Sequence, residues 1–197
     1  SGADRADFRD KTAAVVVTLN GATDAVVTVG GVAEDTIRNI EGVLGGVGND
    51  TLTGDVNVNV LNGGAGNDKL FGGDGADNLT GGVGADHLYG GSDGSKDYFV
   101  FTKLSDSTLA VSGRDIIEDF SESDGDRIDL RVIHAGTPDD QFDFIGTAAF
   151  SHTAGELRYG VAGDHTAVYG DTNGDGIADF SIQLNGVASL QANDFIL

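Results

Sequence analysis

Gly63-Gly64-Ala65-Gly66-Asn67-Asp68-Lys69-Leu70-Phe71, Gly72-Gly73-Asp74-Gly75-Ala76-Asp77-Asn78-Leu79-Thr80 and Gly81-Gly82-Val83-Gly84-Ala85-Asp86-His87-Leu88-Tyr89 are consecutive copies of one nine-residue pattern, and they decide the fold. The register runs back through a worn copy, Gly54 to Asn62, to an earlier one that begins Gly45-Gly46-Val47-Gly48-Asn49-Asp50. Leu occupies position eight throughout, at Leu52, Leu61, Leu70, Leu79 and Leu88. A sixth unit opens at Gly90-Gly91 and carries a short insertion before Asp97-Tyr98-Phe99. A fixed short period marks a solenoid. A flexible glycine linker has no reason to repeat leucine in this way.

The spacing has a direct physical reading. Glycines at positions one, two and four permit positive φ and close backbone approach, so the first six residues form a tight turn whose carbonyls face one another. The last three form a short strand, and alternation across the strand points position eight inward and positions seven and nine outward. Two nonapeptides then complete one coil. Stacked coils give two parallel sheets with a leucine ladder between them.

Asp at position six falls in a column of turns and faces the Asp two repeats later. Calcium takes six to eight oxygens at about 2.3–2.6 Å, a set that carboxylates and turn carbonyls can supply together. The expected ligand-bearing turns are Gly45, Gly46, Val47, Gly48 and Asp50; Gly63, Gly64, Ala65, Gly66 and Asp68; Gly72, Gly73, Asp74, Gly75 and Asp77; Gly81, Gly82, Val83, Gly84 and Asp86; and Gly90 with Asp97. By this geometry Asp50 pairs with Asp68, Asp68 with Asp86, and Asp77 with Asp97. In the worn copy Asn57 replaces a glycine and Asn59 replaces the aspartate, so an ion between that turn and the Asp77 turn is expected to be weak or missing.

Composition points the same way. Lys and Arg number 11 against 32 Asp and Glu, a net charge of −21 over 197 residues. Such a charge opposes compaction unless cations are bound. Disorder is the alternative, but 39% hydrophobic residues and runs such as Ala13-Ala14-Val15-Val16-Val17 argue against it. Nucleic acid and anionic membrane surfaces would be repelled. Cysteine is absent, so hard oxygen donors are the plentiful ligands and calcium is favoured over zinc. No run approaches the roughly 18 apolar residues of a membrane span. Ser1-Gly2-Ala3-Asp4-Arg5 does not read as a signal peptide, so if the protein is exported the signal lies elsewhere.

The repeat resembles the calcium-binding nonapeptide of RTX, or haemolysin-type, proteins. Downstream, Asp97-Tyr98-Phe99-Val100-Phe101, Asp115-Ile116-Ile117-Glu118-Asp119-Phe120 and Gly125-Asp126-Arg127-Ile128-Asp129-Leu130 resemble the C-terminal domain of serralysin-type metalloproteases, also found behind alginate epimerases. The likeness spans about residues 45–197. It implies an all-β fold, a parallel β-roll capped by a C-terminal antiparallel region, with acidic residues of the cap adding calcium ligands. Asp119 and Asp126 are the candidates, and a charged turn paired with Arg127 is the alternative for each. The organisation expected is leading degenerate coils over 1–44, the repeat roll over 45–101 and the cap over 102–197. The final Asp194-Phe195-Ile196-Leu197 resembles the uncleaved signal read by type I secretion, and also reads as a last strand packed on the cap.

Two further stretches stay open. Residues 13–43 read as strands broken by Asn20-Gly21 and Gly30-Gly31, taken as degenerate coils in which Asp10 and Asp35 are ligands or solvated turn residues. Asp171-Thr172-Asn173-Gly174-Asp175-Gly176-Ile177-Ala178-Asp179 matches the start of an EF-hand loop, but Ile182 stands at position twelve and strands flank it. A hairpin loop results, holding calcium or simply acidic side chains in water.

Catalysis finds no support. His87, His134, His152 and His165 form no H-E-x-x-H, and no G-x-S-x-G occurs. Three functions follow from these readings. The first is a module that folds on calcium outside the cell, since ion binding to a site absent from the unfolded chain is folding energy. With about five ions the charge would fall to about −11. The second is polysaccharide binding on the outer sheet faces, weakened because Thr51, Lys69, Asn78 and Thr80 offer one cation and no aromatic row. The third is the C-terminal part of a larger secreted enzyme or adhesin whose activity lies upstream.

Overall fold

The computed structural model describes residues 3–133 and 141–197, which leaves His134 outside the described residues. The N-terminal part contains β1 (Arg5–Asp7), β2 (Val15–Thr18), β3 (Ala25–Val29), β4 (Val32–Ile37) and β5 (Gly42–Leu44). The nonapeptides give β6 (Thr51–Thr53), β7 (Val60–Ala65), β8 (Lys69–Phe71), β9 (Asn78–Val83), β10 (His87–Tyr89) and β11 (Tyr98–Val100). Beyond them lie β12 (Ile116–Ile117), β13 (Arg127–Asp129), β14 (Asp143–Phe144), β15 (Glu156–Ala162), β16 (His165–Asp171), β17 (Phe180–Asn185) and β18 (Phe195–Ile196).

Successive repeat strands alternate between two sheets. One has the order β1-β5-β7-β9-β11-β13-β18 and is parallel throughout. The other runs β14-β15-β16-β17-β12-β10-β8-β6-β2-β3-β4, parallel from β17 to β2 and antiparallel in the β2-β3-β4 and β15-β16-β17 meanders. The molecule is therefore all-β with mixed sheets, a parallel stack of coils flanked by antiparallel segments.

The core is the ladder that position eight dictates. Leu52, Leu70 and Leu88 stand in register in one sheet, Leu61 and Leu79 in the other, and all are fully buried. The ladder extends past the repeats. Val17 continues the first column one way and Ile117 and Leu184 the other. Val43, Phe99, Ile128 and Phe195 continue the second. Each such side chain removes apolar surface from water at roughly 25 cal/mol per Å², so the stack is held by one continuous apolar spine.

Two differences from the sequence reading follow. The region after the repeats is not simply an antiparallel cap, because β12, β13, β17 and β18 keep the coil register. The C-terminal strand pairs in parallel with β13, with Phe195 buried opposite Ile128. An inward Ile, Leu or Phe on every strand lets the roll continue where the glycine turns have ended. In the leading segment β3 and β4 form a hairpin excursion from the coil. Its two-residue connection, Gly30 and Gly31, has φ of 58° and 79°, the left-handed pair that closes an antiparallel ribbon.

Candidate metal centre

The position-six carboxylates fall into two columns at the turn edges of the stack. In the first, Asp50, Asp68 and Asp86 precede β6, β8 and β10. The Asp50 N–H donates to Asp68 Oδ1 at 2.7 Å and the Asp68 N–H to Asp86 Oδ1 at 2.7 Å. In the second, the Asn59 N–H donates to Asp77 Oδ1 at 2.7 Å, and the N–H of Asp77 to Asp97 Oδ1 at 2.9 Å. One oxygen of each carboxylate thus ties its coil to the preceding one. Asparagines at position five do similar work: Asn49 Oδ1 accepts from the Asn67 N–H at 2.9 Å and Asn67 Oδ1 from the Ala85 N–H at 3.0 Å.

The second oxygen is the informative one. Oδ2 of Asp68, Asp77 and Asp86 is buried without any hydrogen-bond partner. Buried polar atoms are nearly always satisfied, and an orphaned carboxylate oxygen points to a missing ion or proton. A methyl group built on Gly63 would strike both Asp68 Oδ2 and the carbonyl of Gly81, and one on Gly72 both Asp77 Oδ2 and the carbonyl of Gly90. Carboxylate and carbonyl oxygens from successive coils therefore converge on the face of each position-one glycine. At Gly45 the same volume is bounded by Asp50 Oδ2 and the Gly63 carbonyl, although there Asp50 Oδ2 also accepts the Gly46 N–H at 2.7 Å.

Electrostatics give the cost of leaving these groups bare. Burial pushes Asp68, Asp77 and Asp97 up to about 7 and Asp86 up to about 6, partly offset by the N–H donors. Neighbouring carboxylates raise Asp68, Asp77 and Asp97 further, and Asp50 is raised by burial as well. The ion pairs of Arg and Lys among the described residues lie elsewhere, at Arg9–Asp7, Lys11–Glu34, Arg38–Asp24 and Arg131–Asp129, and the His87 and His165 rings contact Glu118 and Asp164. No three acidic or imidazole side chains converge among the described residues, so a cation here would draw its remaining ligands from main-chain carbonyls. An all-oxygen, carbonyl-rich set suits calcium rather than zinc.

The cap candidates sit on the same stack. Asp126 Oδ1 accepts the Asp97 N–H at 2.9 Å and its Oδ2 the Ser121 N–H at 2.9 Å, which makes it the next member of the second column. Asp119 lies across the sixth turn, accepting the N–H groups of Gly90 at 2.8 Å and Gly91 at 3.1 Å. Arg127 pairs with neither carboxylate and donates instead to the carbonyls of Gly125 and Asp126, each at 2.7 Å. Asp10 and Asp35 are exposed.

Sequence reasoning missed Asp115. It extends the first column, with Oδ1 accepting the Asp86 N–H at 3.0 Å and Oδ2 orphaned. The available signal was Asp115-Ile116-Ile117 itself, which repeats the tail of the nonapeptide without its glycines. It also missed the outer face of the β8-β10 pair, where Phe71 and Tyr89 stack at 4.6 Å beside Lys69 and His87. Position nine, not position seven, carries these rings. The His87 ring contacts Glu118 at 2.6 Å, and Asn185 donates to the same carboxylate at 2.6 Å.

The Asp171–Asp179 segment is a hairpin loop between β16 and β17. Asp171 is buried, and its oxygens accept N–H groups from Asn173 at 3.2 Å, Gly174 at 2.7 Å and Gly176 at 2.8 Å. Its carboxylate is satisfied by its own loop.

Stacked coils, a doubled aspartate column and glycine turns define a repeat module of the RTX type. The family described as Peptidase M10 serralysin C terminal matches residues 1–197, and the chain belongs to it. No curated protein matches the chain. Among solved structures it is similar to the AlgE6R3 subunit of the Azotobacter vinelandii mannuronan C5-epimerase, at 29% identity and a TM-score of 0.54, over 75% of this chain and 77% of that one. It is also similar to the AlgE6R2 subunit of the same enzyme, at 23% identity and a TM-score of 0.49, over 72% of this chain and 89% of that one. The matched family is the C-terminal, repeat-bearing part of serralysins, in which RTX repeats imply calcium binding.

Proposed function

We propose that this chain is a calcium-loaded module that folds on ion binding outside the cell and supports the type I secretion and stability of a larger exoprotein. The observation that carries the reading is the two columns of buried carboxylates whose Oδ2 atoms are orphaned and which form no salt bridge with Arg or Lys among the described residues. Such a column is unfavourable bare and favourable around divalent cations, so ion binding and folding are one equilibrium. The ligands are the turn residues of 45–50, 63–68, 72–77, 81–86 and 90–97, with Asp119 and Asp126 beyond them. Residues 1–44 serve as leading coils, 45–101 as the ion-binding roll and 102–197 as the closing region, with Asp194–Leu197 as the element the secretion machinery reads. The test is a calcium titration followed by circular dichroism at neutral pH. A β spectrum should appear as calcium is added; a full β spectrum already present in chelator would overturn the reading.

A second reading has its own support. The Phe71–Tyr89 stack with Lys69 and His87 forms an outward polar-aromatic strip, and the chain is similar to a subunit of a mannuronan epimerase. On this reading the strip holds a polysaccharide for a catalytic domain elsewhere in the parent protein. Calorimetry with alginate at saturating calcium decides it, since the absence of heat at millimolar sugar excludes the interaction.

A further inference from the structure

One substitution in the worn repeat has no role in the roll itself. Position two is Gly46, Gly64, Gly73, Gly82 and Gly91 in the other units and Asp55 here. Its side chain reaches back to the leading segment. Asp55 Oδ2 accepts the Gly21 N–H at 2.8 Å, while Oδ1 holds the Asn57 N–H at 2.8 Å and the Asn57 side-chain amide at 2.9 Å. Gly21 has φ of 55° and follows Asn20, in a turn closed by the Thr23 N–H on the Asn20 carbonyl at 3.0 Å. Asparagine is a labile side chain, and a following glycine has no Cβ to shield its nitrogen. That nitrogen can attack the asparagine Cγ. The bond from Cγ to the amide nitrogen breaks, ammonia leaves with the proton given up by the glycine N–H, and one water opens the resulting succinimide to isoaspartate or aspartate.

Asn20, Asn62, Asn173 and Asn185 each precede a glycine, and the fold treats them unequally. Asn62 lies within β7, its backbone held extended in register with Leu44 and Thr80. The Asn173 side chain donates to Asp179 and accepts the Asp175 N–H, each at 2.9 Å, and that of Asn185 donates to Glu118 at 2.6 Å and accepts from Gln183 at 2.9 Å. Their glycines are held as well, Gly174 by Asp171 at 2.7 Å and Gly186 by the Asp164 carbonyl at 3.1 Å. Asn20 is exposed, lies outside any strand, and its side chain makes no hydrogen bond among the described residues. Its guard is Asp55. We propose that Asn20 is the site at which the folded chain converts itself to isoaspartate and aspartate, and that Asp55 sets the rate by holding the Gly21 N–H. A charge-assisted hydrogen bond fixes that peptide plane, and the neighbouring negative charge opposes loss of the amide proton. Either product places a new carboxylate in the cleft that Asn20 shares with Asp24, and isoaspartate also lengthens the main chain of the turn that leads into β3.

The chain is incubated in calcium buffer at mildly alkaline pH, and its tryptic peptides are followed by mass spectrometry for the exchange of an amide nitrogen for oxygen. Trypsin releases residues 12–38, in which Asn20 is the sole side-chain amide. Asn20 should be modified several-fold faster than Asn62, Asn173 and Asn185, and in guanidinium chloride the four rates should converge. Asp55→Ala should raise the Asn20 rate several-fold and leave the other three unchanged. Asp55→Asn, which keeps an oxygen for the Gly21 N–H, should stay near wild type. An Asn20 rate no greater than the others in calcium, or the same preference for Asn20 in guanidinium chloride, overturns the site. An unchanged Asn20 rate in Asp55→Ala, or a rise at all four asparagines together, which reports a loosened fold, overturns the role of Asp55.

Discussion

At the scale of single residues, the stack is so close that some glycines are replaceable and others are not. Gly82 has φ of +102°, and a Cβ there would run into the Gly64 carbonyl of the coil before it. Gly94 has φ of +87° with nothing within 4 Å of its would-be Cβ. Both suffer the left-handed penalty on substitution, on the order of 1–3 kcal/mol. Only Gly82 adds a steric conflict with main chain, and the carbonyl it would displace, Gly64, belongs to the turn that carries Asp68. Gly82→Ala should therefore lower stability well beyond Gly94→Ala and weaken calcium binding as well. Urea unfolding in saturating calcium separates the two; equal losses would mean that backbone strain alone requires the glycine.

At the scale of elements, the worn repeat shows what a coil looks like without an aspartate. Asn59 Oδ1 accepts the Asp55 N–H at 2.7 Å and its Nδ2 donates to the Glu41 carbonyl at 3.3 Å, so the amide satisfies itself where carboxylates one coil on leave an oxygen bare. Asn59→Asp replaces that donor with an acceptor facing a carbonyl. It should lower the melting temperature in chelator by more than in calcium, and identical shifts in the two buffers would show that no cation reaches this turn. Elements also differ in how far they could be read from sequence. The repeat strands were legible because glycine and leucine recur at fixed positions. Strands β12, β13 and β18 are not legible as coils, because their inward residues change to Ile and Phe and their turns lose the paired glycines, leaving only a short Asp-x-apolar tail at Asp115 and Asp126. Gly30-Gly31 marks a break, but it does not by itself tell a β3-β4 hairpin from a coil turn, since valine runs look alike in parallel and antiparallel strands. Phe71 and Tyr89 were in plain sight at position nine, but whether outward rings touch depends on register between coils, which a single strand does not reveal.

At the scale of the whole molecule, protons and calcium compete for one set of sites, and the sign of the pH dependence follows. The carboxyl groups of Asp68, Asp77, Asp86 and Asp97 are raised to about 6–7 in the fold, and Asp115 to about 9, by burial foremost. In the unfolded chain aspartate titrates near 4. Groups raised by folding stabilise fully below the unfolded value, and that contribution is lost as pH climbs through the folded values. Without calcium, stability should thus decline from about pH 4 to about pH 7, with Asp115 extending the loss toward 9. Acid should stand in for calcium: in chelator, lowering the pH from 8 to 5 should increase the β signal in circular dichroism. In saturating calcium the same change should weaken binding and leave the signal level. General repulsion among the −21 charges predicts an acid effect of the same sign. It is screened at about 3 Å in 1 M salt, whereas the buried columns are not. An acid response that survives 1 M KCl locates the effect in the columns. A response abolished by KCl assigns it to the surface, and a β signal that falls on acidification contradicts the proton-for-calcium exchange altogether.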